Sequence, residues 1–190
     1  MPINKALPGF ESPAAGFEAP FEMLAACHER LRRSLRLLAR LQQHLGAQPQ
    51  GVDEQARQAA ADLLRYFTLA APAHHEDEER HIVPVLRRSA DAALRAAAEQ
   101  LLREHEQIRA AWELLAPQLR EIEAGRLPPR LAEAAEHFGR LHDAHLRLED
   151  ELAFPQARVL HEEAGGAAAL AAIGAEMAGR RGATIRKTPG

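Results

Sequence analysis

Four stretches of the chain repeat apolar residues at alternating intervals of three and four, the spacing of one buried helix face. Polar residues fill the positions between them, as on the solvent side of a helix. The stretches lie at 20–45, 53–84, 89–124 and 129–155. Four amphipathic helices joined by short turns predict an all-α fold, an antiparallel up-down four-helix bundle.

Capping residues and prolines set the predicted helix ends. Helix 1 begins near Pro20, a residue suited to a first turn, and stops before Gly46. Asp53 and Ser89 are the predicted N-caps of helices 2 and 3. Bends are expected at three prolines that fall within the helical pattern, Pro72, Pro84 and Pro117.

The regions outside the bundle lack this periodicity. Residues 1–19 are rich in Pro and Gly and are predicted to form an irregular N-terminal arm. The bundle domain is assigned to 20–160. In the last part, 161–190, we expect a short, weakly held helix at about 166–180 and a basic, disordered end.

Composition supports a soluble helical protein. Hydrophobic residues make up 46% of the chain and aromatic residues 4%, so strand formers are scarce. A net charge of −3 gives no reason to expect nucleic-acid or membrane binding, and no apolar run approaches the ~20 residues that span a bilayer. The single cysteine, Cys27, suits a reducing compartment and is expected to be an inert packed thiol. A cytoplasmic location follows as an expectation.

Histidines interrupt the apolar stripes, and two of them belong to a repeated motif. His74 and His145 each precede a carboxylate by four residues and a proline by ten, in two copies of His-x-x-x-Glu-[Glu/Asp]-x-x-x-x-Pro. Residues four apart share a helix face, so each copy directs an imidazole and a carboxylate into one volume. Burying these groups is costly unless a cation lies between them. The predicted metal ligands are His28, His74, Glu78, His105, His145 and Glu149.

This donor set suits iron, manganese or zinc better than calcium or magnesium. Carboxylates from two opposite helices can bridge two metal ions, so a pair of ions is favoured over one. A metal-free bundle is the alternative, but it would leave several buried polar groups uncompensated at ~1–3 kcal/mol each.

Several neighbours of the predicted ligands have less certain roles. His75 forms a second pair with Glu79, about 100° round the helix from His74, and is held as a replacement ligand. His142 lies on the seam of helix 4 between Phe138 and His145 and is a weaker candidate for contact with the metals or their surroundings. The remaining neighbours are expected to be solvated or surface groups: Glu29, Glu104, Glu106, His44, His81, His137 and His161. Arg32 and Arg109 are expected to pair with the flanking glutamates or with carboxylates near the site.

The motif order resembles that of the hemerythrin-like (HHE cation-binding) family over about 20–160. The resemblance rests on four motifs in this order: one helical histidine, His-x-x-x-Glu-Glu-x-x-x-x-Pro, a Glu-His-Glu helix and His-x-x-x-Glu. The resemblance implies a four-helix bundle with a non-haem di-iron centre, held by the same six residues, that binds or responds to dioxygen. Oxygen carriers of the family place His-x-x-x-His on the third helix. In this chain the residue four positions after His105 is Arg109, which is not a ligand. The pattern is closer to that of iron-sensing and bacterial signalling or stress members.

The sequence therefore favours a protein that binds or senses dioxygen or a related small oxidant, or that handles iron, over an enzyme, since no other catalytic constellation is visible. Two iron ions are the expected cofactor, with zinc or manganese as substitutes. The expected ligand is dioxygen or another small diatomic molecule or oxidant. A di-iron peroxidase, oxidase or nitric oxide-handling enzyme is the second hypothesis, and an iron-responsive interaction protein the third.

Overall fold

The computed structural model describes residues 16–47 and 51–182, and within these ranges it contains helices and no strand. The predicted all-α fold is thus confirmed. Residues 1–15 of the predicted arm and the predicted basic end beyond 182 lie outside the described residues. The helices are α1 (Pro20–Ala47), α2 (Glu54–Arg65), α3 (Ala71–His81), α4 (Val83–Arg87), α5 (Ala92–Glu123), α6 (Leu131–Leu148) and α7 (Phe154–Arg180).

These helices form four rods. The first is α1, the second runs through α2, α3 and α4, the third is α5, and the fourth is α6 continued by the start of α7. The α1 rod packs on α2 and α6, and α5 packs on α2, α4 and α6. Each rod thus contacts its neighbours in the chain, which is the packing of the predicted up-down bundle.

One predicted helix cap is confirmed and one is wrong. Asp53 accepts a hydrogen bond from the backbone N–H of Ala56 at 2.8 Å, as an N-cap does. The cap of α5 is Asp91, which accepts from the N–H of Ala93 at 2.7 Å. Ser89 instead accepts from the N–H of Asp91 and so stabilises the turn that leads to the cap.

Two of the prolines follow π-helical turns, at Tyr66–Ala70 and Glu149–Ala153. In each turn a backbone N–H bonds five residues back, from Ala71 to Tyr66 and from Phe154 to Glu149. Pro72 and Pro155 come next in the chain. A proline ring clashes with the carbonyl four residues earlier in a regular α-helix, and the wider turn relieves that clash. The irregularity expected at Pro72 takes this form.

The other two prolines behave differently. The rod breaks at Ile82, between α3 and α4, so that Pro84 falls in the first turn of a new helix. Pro117 lies inside α5, which continues unbroken to Glu123.

The apolar core is divided into two clusters. One surrounds Leu38 and Phe138 near the α2 end of the bundle, and the other surrounds Leu86 and Met177 near the α4 end. Along α1, Leu24 belongs to the second cluster and Leu31 to the first. The residues between them therefore form a separate layer across the bundle, and this layer is polar.

The predicted C-terminal helix at about 166–180 is present, but the expectation that it is weakly held is wrong. The final helix, α7, begins at Phe154 and runs to Arg180, with a break at Gly166, where φ is 56°. Its second half packs back on the bundle, with Met177 fully buried. Asp77, buried in α3, makes ion pairs with both Arg180 and Arg181 and anchors the end of the helix.

Candidate metal centre

The six residues predicted to bind metal are brought together in the polar layer, and all are buried. They come from all four rods: His28 from α1, His74 and Glu78 from α3, His105 from α5, His145 from α6 and Glu149 from the π turn after α6. His75 joins the same layer, with its ring stacked on that of His105 at 4.3 Å between centroids. The layer thus contains five imidazoles and two carboxylates.

The donor atoms form two groups, and within each group they lie no more than 4.8 Å apart. Glu78 belongs to both groups. One group is His28, His74, Glu78 and Glu149, and the other is His75, Glu78, His105 and His145. This is the arrangement expected of two neighbouring cation sites that share a carboxylate.

Glu78 spans the two groups. Its Oε1 lies 2.9 Å from Nε2 of His74, and its Oε2 lies 3.3 Å from Nε2 of His105. One carboxylate oxygen therefore faces each group.

Glu149 does the same from the opposite side. Its Oε2 lies 3.1 Å from Nε2 of His28, and its Oε1 lies 3.3 Å from Nε2 of His145. A pair of carboxylates placed in this way can bridge two cations.

Carboxylates outside the layer fix three of the imidazoles. A carboxylate can only accept, so the ring nitrogen that faces it carries a proton, and the other nitrogen is the one that can bind a metal ion. The three Nδ1–H groups donate from His28 to Asp150 at 2.7 Å, from His105 to Glu79 at 2.9 Å and from His145 to Glu104 at 3.0 Å. All three Nε2 atoms are thus directed inward as potential metal ligands.

Although four nitrogen–oxygen pairs among them lie 2.9–3.3 Å apart, the inward-facing atoms form no well-aligned hydrogen bond. This is true of Nε2 in all five histidines and of both carboxylate oxygens of Glu78 and Glu149. Each such buried atom costs about 1–3 kcal/mol if nothing satisfies it. Cations coordinated in the layer would satisfy all nine atoms at once, so the residues fit a metal centre.

Burial and the neighbouring carboxylates shift the pKa values of the imidazoles in opposite directions. Burial lowers the pKa of His28, but its contacts with Asp150 and Glu149 outweigh burial and raise this pKa to about 11. At His74, burial is outweighed by the charge of Glu78, and the pKa rises to about 10. Burial prevails at His75, whose pKa lies well below its usual value.

His75 is the residue that the sequence predicted only as a replacement for His74 among the metal ligands. His74 and His75 were treated as alternatives, whereas the structure brings both into the layer. At 3.6 residues per turn, Glu78 lies about 40° round the helix from His74, and His75 lies about 100° round. Glu78 therefore points between the two imidazoles, and each serves a different donor group. The helical positions of these three residues could therefore have indicated from the sequence that both imidazoles face Glu78.

The prediction that Glu104 is a solvated surface charge is wrong, because its carboxylate accepts the proton of His145 and only 14% of its side chain is exposed. The predicted pairing of the two arginines is confirmed. Arg32 pairs with Asp150 and Arg109 with Glu79.

Cys27 is buried, as expected, but a cationic side chain lies beside its sulfur. Nη2 of Arg30 lies 3.1 Å from its sulfur. Burial raises the pKa of the thiol, but interactions with His74 and Arg30 outweigh burial and lower the pKa to about 6.

Other histidines lie farther from the layer. Neither His81 nor His161 is free in solvent: Nε2 of His81 contacts Glu176 at 2.6 Å, and Nε2 of His161 lies 2.7 Å from the carbonyl oxygen of His81. Both residues help to hold α7 against the bundle.

A cavity of about 160 Å³ lies beside the layer. Its outer residues, Pro72, Glu76 and Arg109, are exposed, and its inner residues, including His75 and His142, are buried. The cavity thus leads from the surface to one of the five imidazoles. His142 lines it but belongs to neither donor group.

A helical bundle that buries a layer of imidazoles and carboxylates is a cation-binding protein by class. The comparisons give the family. The chain belongs to the hemerythrin HHE cation binding domain family, whose model matches residues 19–173. It is also 31% identical over 167 residues to an uncharacterized protein of Haemophilus influenzae. The aligned region covers 88% of this chain and 92% of the relative. In the described part of the chain, no helix is long and apolar enough to cross a membrane.

Proposed function

We propose that the polar layer holds two iron ions and that this centre binds or senses dioxygen or a related small oxidant. The observation that carries the proposal is the orientation of Glu78 and Glu149. Each carboxylate turns one oxygen to each of the two donor groups, and each group adds its own imidazoles. A single ion would leave one group unsatisfied.

The donor set favours iron. Five imidazole nitrogens and four carboxylate oxygens form a borderline set, in which zinc and manganese can substitute. The proposed ligands are the six residues predicted from the sequence, with His75 as the seventh. A pair of iron ions would supply the capacity to bind dioxygen and exchange electrons with it. The protein would supply the orientation of the imidazoles through Asp150, Glu79 and Glu104.

The two donor groups are unequal, which supports a centre that takes up an external ligand. One group contains two imidazoles and the other contains three. With both carboxylates shared, the group of His28 and His74 has fewer protein donors and the greater need of a further ligand. Apolar packing of Phe154 against His28, at 4.7 Å between ring centroids, limits the access of water to that group.

The test is anaerobic reconstitution of the full chain with Fe(II), followed by metal analysis and absorption spectra before and after exposure to air. We expect two iron ions per chain and a new visible absorption after exposure. Glu149→Gln keeps the size of the side chain but removes its charge, so we expect the loss of at least one iron. Glu151→Gln, at an exposed position two residues away, is the matched control. A wild-type chain that takes up no stoichiometric iron would refute the proposal.

The cavity beside His75 favours one alternative, a di-iron enzyme that acts on a peroxide. A ligand carrier for diatomic molecules does not need about 160 Å³ of space. Turnover of peroxide well above that of free iron would favour the enzyme, and reversible binding without turnover would favour the sensor or carrier.

A further inference from the structure

One buried polar atom in the wall of this cavity has no partner and belongs to neither donor group of the polar layer. His142 is 0% exposed and lines the cavity, and its Nε2 has no hydrogen-bond partner. Its Nδ1 lies 3.0 Å from the carbonyl oxygen of Phe138. A carbonyl can only accept, so Nδ1 carries the proton and Nε2 presents a lone pair.

Burial keeps this imidazole neutral. It lowers the pKa of His142 to about 4, so the ring carries no charge at neutral pH. Nε2 is then an acceptor and not a donor. It can pair with a ligand that brings an O–H group, but it has nothing to offer dioxygen or nitric oxide, which carry no hydrogen.

The rest of the inner wall is apolar. Phe67, Ile108 and Phe138 are buried and line the cavity together with the partly buried Trp112. A volume of about 160 Å³ is close to the ~150 Å³ of an apolar cavity that accommodates benzene. A water molecule would satisfy Nε2 but would leave most of this apolar wall unfilled.

The polar groups near the mouth are already paired. Oε1 of Glu79 accepts from Nδ1 of His105 and also contacts Arg109 at 3.2 Å. Among the described residues that line the cavity, this leaves Nε2 of His142 and Nε2 of His75 as the unpartnered buried side-chain atoms. One belongs to the proposed metal centre and the other does not.

We propose that this cavity is a binding site for a small alkyl hydroperoxide, whose O–H donates to Nε2 of His142 and whose alkyl group packs on Phe67, Ile108 and Phe138. This inference rests on the proposed function, because the oxidant-handling centre is what selects a hydroperoxide among small molecules that carry an O–H. His142 acts as a positioning residue. It holds the ligand at the wall of the cavity that His75 also lines.

The binding site is tested in the zinc-loaded full chain, where no redox reaction interferes. Phenol and fluorobenzene have nearly the same shape, but only phenol has an O–H. We expect phenol to bind more tightly, with saturable NMR shifts of the His142 ring. His142→Phe should weaken phenol binding roughly threefold to tenfold, the worth of one neutral hydrogen bond, and leave fluorobenzene unaffected. His137→Phe, at an exposed position on the same helix, is the control.

Two further measurements keep the proposal falsifiable. Ala71→Leu fills the cavity without removing a polar group, and it should abolish the binding of both probes even if His142→Phe fails to fold. tert-Butyl hydroperoxide should displace phenol, and failure to do so would overturn the assignment of the ligand class. Equal affinity of phenol for wild type and His142→Phe would overturn the role of His142. Normal metal uptake with no phenol binding would refute this inference alone, whereas loss of metal uptake would refute the proposed function.

Discussion

Glu104 provides a sharp test of how the protein prepares the metal centre. Its carboxylate accepts the Nδ1 proton of His145 at 3.0 Å, and only 14% of its side chain is exposed, so solvent screens the interaction weakly. Replacement by alanine removes a charge-assisted hydrogen bond, worth about 1.5–3 kcal/mol. The Nδ1–H of His145 is then left without its partner, and the ring is free to rotate.

The expected loss of metal affinity follows from that energy. A difference of 1.4 kcal/mol corresponds to a factor of ten, so Glu104→Ala should bind metal about 10-fold to 100-fold more weakly. Glu104→Gln retains an acceptor oxygen and should lose less. The measurement is competition for Zn(II) against a chromogenic chelator of known affinity at fixed pH.

Glu106 is the matched control for this experiment. It flanks His105 on the other side, and in the sequence the two glutamates look equivalent, but Glu106 is exposed and makes no contact with a layer imidazole. Glu106→Ala should leave the affinity unchanged. Wild-type affinity in Glu104→Ala, or an equal loss in both variants, would refute the reasoning.

Two further predictions concern protons and the C-terminal helix. In the absence of metal, the pKa values of His28 and His74, about 11 and 10, keep both rings protonated at pH 7, and metal must displace these protons. Calorimetry in buffers of different ionisation enthalpy should therefore report a net release of protons on metal binding, and affinity should fall as pH falls; heats independent of the buffer would contradict this. Asp77→Ala removes the partner of Arg180 and Arg181 and should destabilise the packing of α7 by about 1.5–3 kcal/mol, the worth of a hydrogen bond to a charged group. Faster hydrogen exchange in the second half of α7 would show the effect, with Glu163→Ala, exposed on the same helix, as control.

The sequence predicted the fold because helical periodicity is a local property. The alternation of three and four carries directly into the buried stripes of α1 and α5, and the histidines on those stripes had to face the bundle interior. The level at which they meet also followed from the pattern, since His28 and His105 each lie between apolar residues that belong to different core clusters.

The carboxylates that support the histidines could not be predicted in the same way. Asp150 reaches His28 from another rod, and Glu79 and Glu104 reach the imidazoles of neighbouring rods. Contacts of this kind depend on how one rod is rotated against the next, and helical spacing does not specify that rotation. The same holds for α7, whose anchoring depends on a pairing between residues about a hundred positions apart, Asp77 and Arg180.

The layer differs from the predicted ligand set by a fifth imidazole, that of His75, and the internal repeat explains this difference. The ligand motifs His74–Glu78 and His145–Glu149 are 71 residues apart, whereas the π turns and their prolines, Pro72 and Pro155, are 83 apart. The backbone irregularity therefore precedes the ligands in the second rod and begins at Glu149 in the fourth. Regular α-helix through His74, His75 and Glu78 places the carboxylate between two imidazoles. In the fourth rod the position equivalent to His75 is Leu146, which packs in the apolar core. The two halves of the bundle thus share a motif but contribute unequally, and that inequality is what makes the two donor groups different.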